Sequence, residues 1–140
     1  MKPAVTTRAD ARRDLRPAVV LASLVVIAAA TAAVAATASP SLQHAFVLVV
    51  LAPLFEESVF RAGVQEQLAR LGRGPGLAIV ATALLFAVAH VALSGDPRRI
   101  AVVLPGLAIG VVYARTGRVR DCVALHAAMN AAWLGAHAVL

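Results

Sequence analysis

A single cysteine, Cys122, leaves the chain without an internal disulfide, so its fold must be held by packing and hydrogen bonds alone. Charge is almost as scarce. Only 14% of the 140 residues are Asp, Glu, Lys or Arg, and 4% are aromatic. A water-soluble domain of roughly 100 to 150 residues carries a solvated surface and is about half polar, which this composition excludes. Hydrophobic residues make up 61%, and Ala, Val and Leu run in long stretches, so lipid is the expected solvent.

The net charge of +6 would suggest a nucleic-acid partner in a soluble protein. Its distribution argues otherwise. The arginines gather in the first 16 residues, around Arg70 and Arg73, and from Arg115 to Arg120, all of them gaps between apolar runs. Such positions read as topology signals at a cytoplasmic membrane face, and no nucleic acid is expected.

Residues 1–16 are polar and read as a cytoplasmic basic tail. From Pro17 to Ala38 there is no charge, and about 20 apolar residues suffice to cross a hydrocarbon core. A signal peptide is the competing reading of this start, with Ala36-Thr37-Ala38 as its cleavage site. Further helices are predicted over 42–71, 77–93, 100–114 and 119–140. They are separated by Gly72-Arg73-Gly74-Pro75-Gly76, by Ser94-Gly95-Asp96-Pro97 and by the arginine-rich gap, with Pro105 expected to kink the fourth. The fold class is therefore all-α, a polytopic membrane protein of about five transmembrane helices forming a single domain over 17–140. A basic tail inside places the two later arginine gaps on the same side, so the N-terminus is expected in the cytoplasm and the C-terminus outside.

Against this apolar background, Glu56, Glu57 and Arg61 oppose membrane insertion, each by about 2.5 to 3.5 kcal/mol at a helix centre. Ionisable residues in such a place mark a functional hypothesis. Glu57 and Arg61 are four apart with the acid first, the favourable order for an ion pair. Glu56 lies about 100° round the helix and must face a polar cavity or another helix. A purely architectural cluster, or a helix lying at the membrane surface, is the competing reading. Phe86 and His90 share a face of the third helix, and His126 and Asn130 share a face of the last. Counting along upright helices sets His90 and His126 at different depths.

Glu56-Glu57-Ser58-Val59-Phe60-Arg61, Phe86-Ala87-Val88-Ala89-His90 and His126-Ala127-Ala128-Met129-Asn130 resemble the E-E-x-x-x-R, F-x-x-x-H and H-x-x-x-N motifs of the CPBP family. This family comprises CAAX prenyl proteases and bacteriocin-processing enzymes, also called Abi proteins. All three motifs occur in the family's order, within a core of about 48–138. The resemblance implies an intramembrane endopeptidase in which Glu56 and His90 activate a water while His126 and Asn130 hold the oxyanion. Glu57, Arg61 and Phe86 would support the site. No cofactor beyond the water is implied. The implied partners are membrane lipids and a peptide or protein cut near or within the membrane, and the implied location is a bacterial inner membrane.

Three rivals remain open at this point. Cys122 precedes His126 by four residues, the spacing of a thiol and imidazole on one helix face, as a cysteine protease would use. Glu56, His90 and His126 could ligate zinc, although no H-E-x-x-H is present. A non-catalytic membrane protein, giving bacteriocin immunity or organising partners, could use the same fold. His44, His137, Tyr113 and Trp133 read as interfacial, packing or lipid-facing residues, and Gly106 and Gly110 as a G-x-x-x-G that lets helices approach closely.

Overall fold

Helix ends fall at the glycine and proline clusters. The computed structural model describes residues 25–33, 36–72 and 74–138, and among these every regular element is helical. The chain divides into two units, Met1–Gln43 and His44–Leu140. In the first, 25–33 is helical, and the Thr31 hydroxyl donates to the Ile27 carbonyl at 2.7 Å. The expected basic tail and the remainder of the first expected helix, apart from 36–38, lie outside the described residues.

Ser39 caps the next helix, its hydroxyl accepting from the Leu42 N–H at 3.4 Å, and Pro40 takes the first helical position, where no N–H is needed. This helix, α1, runs through consecutive segments: Pro40–Phe46, Val47–Leu51, Ala52–Glu57, Ser58–Gln65 and Glu66–Arg70. Val47–Leu51 and Ser58–Gln65 are wound as π-helix, a form frequent at functional sites and not foreseen from the hydrophobic pattern. Helix α2 spans Pro75–Ser94. It ends on Gly95, whose φ of 69° suits the left-handed C-cap, and whose N–H bonds the Val91 carbonyl at 2.8 Å. A 3₁₀ turn over Pro97–Val102 leads into α3, Val103–Thr116, and α4 covers Val119–Ala138.

Pro105 lies within the continuous helical stretch formed by the 3₁₀ turn and α3. The α-helical winding begins only at Val103, so the proline falls in its first turn, where a missing N–H is tolerated. Among the described residues, two helical stretches are long and apolar enough to cross a membrane, Pro75–Ser94 and Pro97–Thr116.

Within the second unit, α2 packs on α3, α3 on α4, α4 on 47–57 of α1, and α2 on 58–65. The side chains are sorted the opposite way to a soluble core. Leu77, Val80, Leu84, Leu85, Val88 and Leu93 of α2 are 46% to 89% exposed, while Ala78, Thr82, Ala83 and Ala87 face inward with Phe86. Among the described residues, the buried polar side chains are Glu57, Arg61, Gln65, Thr82 and His126. Small residues between helices and large apolar ones outside are what lipid as solvent favours.

Gly106 and Gly110 of α3 make this close packing possible, but unequally. A Cβ on Gly106 would meet Ala83 Cβ at 3.4 Å, whereas one on Gly110 would lie 3.0 Å from Ile79 Cγ2 and 3.2 Å from Gln65 Oε1. Overpacking costs about 1 to 3 kcal/mol, and Ala gains roughly 1 kcal/mol over Gly in helix propensity. Gly110→Ala should therefore lower the melting temperature in detergent, and Gly106→Ala should leave it unchanged or slightly raised. Equal effects of the two substitutions would refute this packing asymmetry.

Candidate active site

Glu57 stands at the centre of the buried polar residues. It and Arg61 are both fully buried, and Arg61 Nε donates to Glu57 Oε2 at 2.8 Å, the pair that their spacing predicts. The other carboxylate oxygen, Oε1, lies 2.7 Å from His126 Nδ1 of α4. An ionised carboxylate can only accept, so His126 donates from Nδ1 and turns Nε2 away from Glu57. That nitrogen lies 3.7 Å from Glu56 Oε2. Glu56, whose side chain is 24% exposed, is thus the partly open carboxylate, and its adjacent neighbour is the closed one.

The sequence reading gave Glu56 no partner within its own helix, and the structure supplies the expected one from another. His90, on α2, borders the same ring cluster as His126. His90 Nδ1 lies 3.0 Å from the Phe86 carbonyl. A carbonyl only accepts, so this ring also carries its proton on Nδ1 when neutral, leaving Nε2 as an acceptor. Phe86, buried at 3% exposure, is the spacer. Its ring centroid is 4.3 Å from that of His90 and 6.0 Å from that of His126, and Phe60 packs edge-on at 5.0 Å. Both imidazoles therefore border one phenyl ring, and the depth difference counted along upright helices does not separate them.

Asn130 sits one turn beyond His126 on α4. Its Nδ2 donates to the Leu48 carbonyl at 2.8 Å, across to the first π-helical stretch of α1. One of its two amide N–H groups is thereby engaged, and the other stays available. Cys122 belongs elsewhere. Its thiol is fully buried and directed at the Ile109 carbonyl at 3.8 Å and the Arg118 carbonyl at 3.6 Å, while His126 Nδ1 is held by Glu57. Among the described residues no three His, Cys, Asp or Glu side chains are grouped closely enough to hold a metal ion, and that includes Glu56, His90 and His126.

Gln65 is the polar residue of this cluster that the sequence reading missed. It is 3% exposed, accepts from Arg61 Nη1 at 3.1 Å and donates from Nε2 to the Gly110 carbonyl at 2.9 Å. Arg61 Nη2 donates in turn to the Gly106 carbonyl at 3.1 Å. The signal was present as spacing: 57, 61 and 65 follow one another at i+4 on one face of α1. What spacing could not show is that the acceptors are backbone carbonyls of α3, freed for approach by the two glycines.

Outside this cluster, Glu66 accepts from Arg70 Nε at 2.9 Å and from the Tyr113 hydroxyl at 3.2 Å. The Glu66–Arg70 pair is exposed, so solvent screens it and it adds little to stability. His137 and Trp133 stack on each other with ring centroids 4.1 Å apart, and Trp133 is 53% exposed, as expected of a lipid-facing or interfacial pair.

The model of one protein family, described as type II CAAX prenyl endopeptidase Rce1-like, matches residues 37–132, more than half of the chain. The matched span contains all three motifs and every residue of the cluster. No curated protein and no solved structure matches the chain.

Proposed function

Since the chain belongs to the Rce1-like family of type II CAAX prenyl endopeptidases, a family of membrane-embedded proteases, we propose that it is an intramembrane endopeptidase of the glutamic type whose water is activated by Glu56. The observation that carries this reading is the juxtaposition of a partly open carboxylate, Glu56, with the Nε2 of an imidazole whose other nitrogen is fixed by a buried carboxylate. Geometry of this kind positions a base and a hydrogen-bonding ring around one small molecule.

The steps follow from the donor and acceptor inventory. A water held by Glu56 and by the free Nε2 of His90 gives a proton to Glu56 as its oxygen attacks the scissile carbonyl. The carbonyl oxygen becomes an oxyanion. His126, which donates from Nε2 only when that nitrogen also carries a proton, and Asn130, through its second N–H, hold that charge. Collapse breaks the C–N bond, and Glu56 returns the proton to the leaving amine. Glu57, Arg61 and Phe86 keep the rings in place. No residue of this scheme requires a metal or a thiol, and the substrate is a peptide or protein segment presented at the membrane. The accompanying topology is five crossings with the basic tail in the cytoplasm of a bacterial cell.

The test is cleavage in proteoliposomes of peptides with and without a prenylated cysteine near the C-terminus, with fragments identified by mass spectrometry. Cys122→Ala should keep most of the rate, because the thiol points at carbonyls away from Glu56. Loss of cleavage in Cys122→Ala would transfer the chemistry to the thiol. A folded parent protein that cuts none of the peptides would favour a non-catalytic role.

A further inference from the structure

We propose that Gln65 is a positioning residue of this site, setting the orientation of His126 through Arg61 and Glu57. The inference rests on the proteolytic reading for its consequence in turnover, though not for the geometry itself.

The hydrogen bonds form a path that runs from Gly110 to His126, with one side branch from Arg61 Nη2 to the Gly106 carbonyl. The Gly110 carbonyl accepts from Gln65 Nε2 at 2.9 Å, Gln65 Oε1 accepts from Arg61 Nη1 at 3.1 Å, Arg61 Nε donates to Glu57 Oε2 at 2.8 Å, and Glu57 Oε1 meets His126 Nδ1 at 2.7 Å. Every direction along it is forced. A carbonyl cannot donate and a guanidinium cannot accept, so the Gln65 amide has only one orientation that satisfies both neighbours. Because the guanidinium is planar, its contacts with Glu57, Gln65 and the Gly106 carbonyl define the plane in which it lies.

That plane decides where the Glu57 carboxylate points, and the carboxylate decides the tilt of the imidazole whose Nε2 faces Glu56. Without Gln65, Arg61 keeps only Glu57 and one carbonyl as hydrogen-bond partners, and the plane of its guanidinium is less tightly fixed. A residue that only clamped α1 to α3 would need no more than the Gln65 bond to Gly110. Here its oxygen addresses instead the cation that holds the site carboxylate. Gly110 contributes by its missing side chain, since a Cβ there would approach Gln65 Oε1 to 3.2 Å and Arg61 Nη1 to 3.4 Å.

Gln65→Leu removes both bonds, and Gln65→Glu keeps an acceptor for Arg61 while giving up the donor to Gly110. The protein would be labelled with ¹⁵N-histidine in detergent, and His126 assigned by difference from His126→Gln. In the parent, the Nδ1 proton of His126 should show the low-field shift of a short bond to a carboxylate. In Gln65→Leu that signal should move or broaden, and kcat should fall about 10²-fold with KM little changed, the size of effect expected when a reacting group is misplaced by about 1 Å. Gln65→Glu should lie closer to the parent in both readouts.

A Gln65→Leu protein with the parent's resonance and kcat, whatever its melting temperature, would overturn the proposal, as would a Gln65→Glu no better than Gln65→Leu. If Gln65→Leu does not accumulate, Gln65→Glu decides: a parent-like His126 signal supports positioning through Arg61, and loss of that signal overturns it. Should the parent protein cleave no peptide, the proposed function fails while the resonance still reports on Gln65.

Discussion

Glu56→Gln should accumulate, insert and melt like the parent protein while losing about 10²- to 10⁴-fold in turnover, the usual contribution of a general base. The argument starts from how little the fold asks of this side chain. Glu56 is partly open, and its nearest ionic contact is His126 Nε2 at 3.7 Å, beyond hydrogen-bond reach. Exchanging its oxygen for an amide nitrogen keeps the volume and removes one negative charge from a position that pairs with nothing tightly. What it removes is the only property that the proposed chemistry needs, the capacity to take a proton from water and return it. Side-by-side measurement of melting temperature and peptide cleavage gives the answer. A Glu56→Gln enzyme that still turns over, or one that melts well below the parent, would take the base away from this residue.

Different parts of this site were legible in the sequence for different physical reasons. Glycine and proline at 72–76 and at 94–97 announce chain reversals because the backbone there needs left-handed φ or lacks an N–H, and the helices do end there. The Glu57–Arg61 pair was legible because both partners lie on one helix at a fixed spacing. Partners on different helices were not. The i+4 rule grouped His126 with Asn130, yet in the folded chain His126 bonds Glu57 and Asn130 bonds the Leu48 carbonyl. Each reaches its own segment of α1, and only packing brings these atoms together.

Two features left no readable trace at all. The π-helical stretches Val47–Leu51 and Ser58–Gln65 are changes of hydrogen-bond register, and hydrophobic periodicity is too coarse to register them in segments of 5 and 8 residues. The carbonyls of Gly106 and Gly110 act as acceptors for Arg61 and Gln65, a role that depends on backbone exposure rather than on side-chain type. The counting of depth failed for a related reason. It treated helices as upright rods with a common origin, whereas His90 and His126 converge on Phe86 from two different helices. Among the described residues, two stretches meet the length and apolarity of a membrane span.

Glu57→Gln should behave in the opposite manner to Glu56→Gln, losing stability together with activity. Its carboxylate receives Arg61 on one oxygen and His126 on the other, both within 2.8 Å, and neither residue of the ion pair is exposed. A glutamine offers one acceptor oxygen in place of two and turns an N–H toward a donor, so either Arg61 or His126 loses its partner. Removing one member of a buried ion pair costs about 3 to 5 kcal/mol, because the remaining charge stays buried without compensation. Arg61→Met should be at least as severe, since it also strips the Gly106 carbonyl and Gln65 Oε1 of their donor. The double variant tests whether the two act as a unit. With both charges gone no uncompensated ion is left, so its loss should be smaller than the sum of the two single losses, by a coupling of roughly 0.5 to 3 kcal/mol. Equilibrium unfolding in detergent measures all four corners of the cycle. Strict additivity would mean that Glu57 and Arg61 stabilise the fold independently, and the buried pair would then be a consequence of the packing rather than one of its causes.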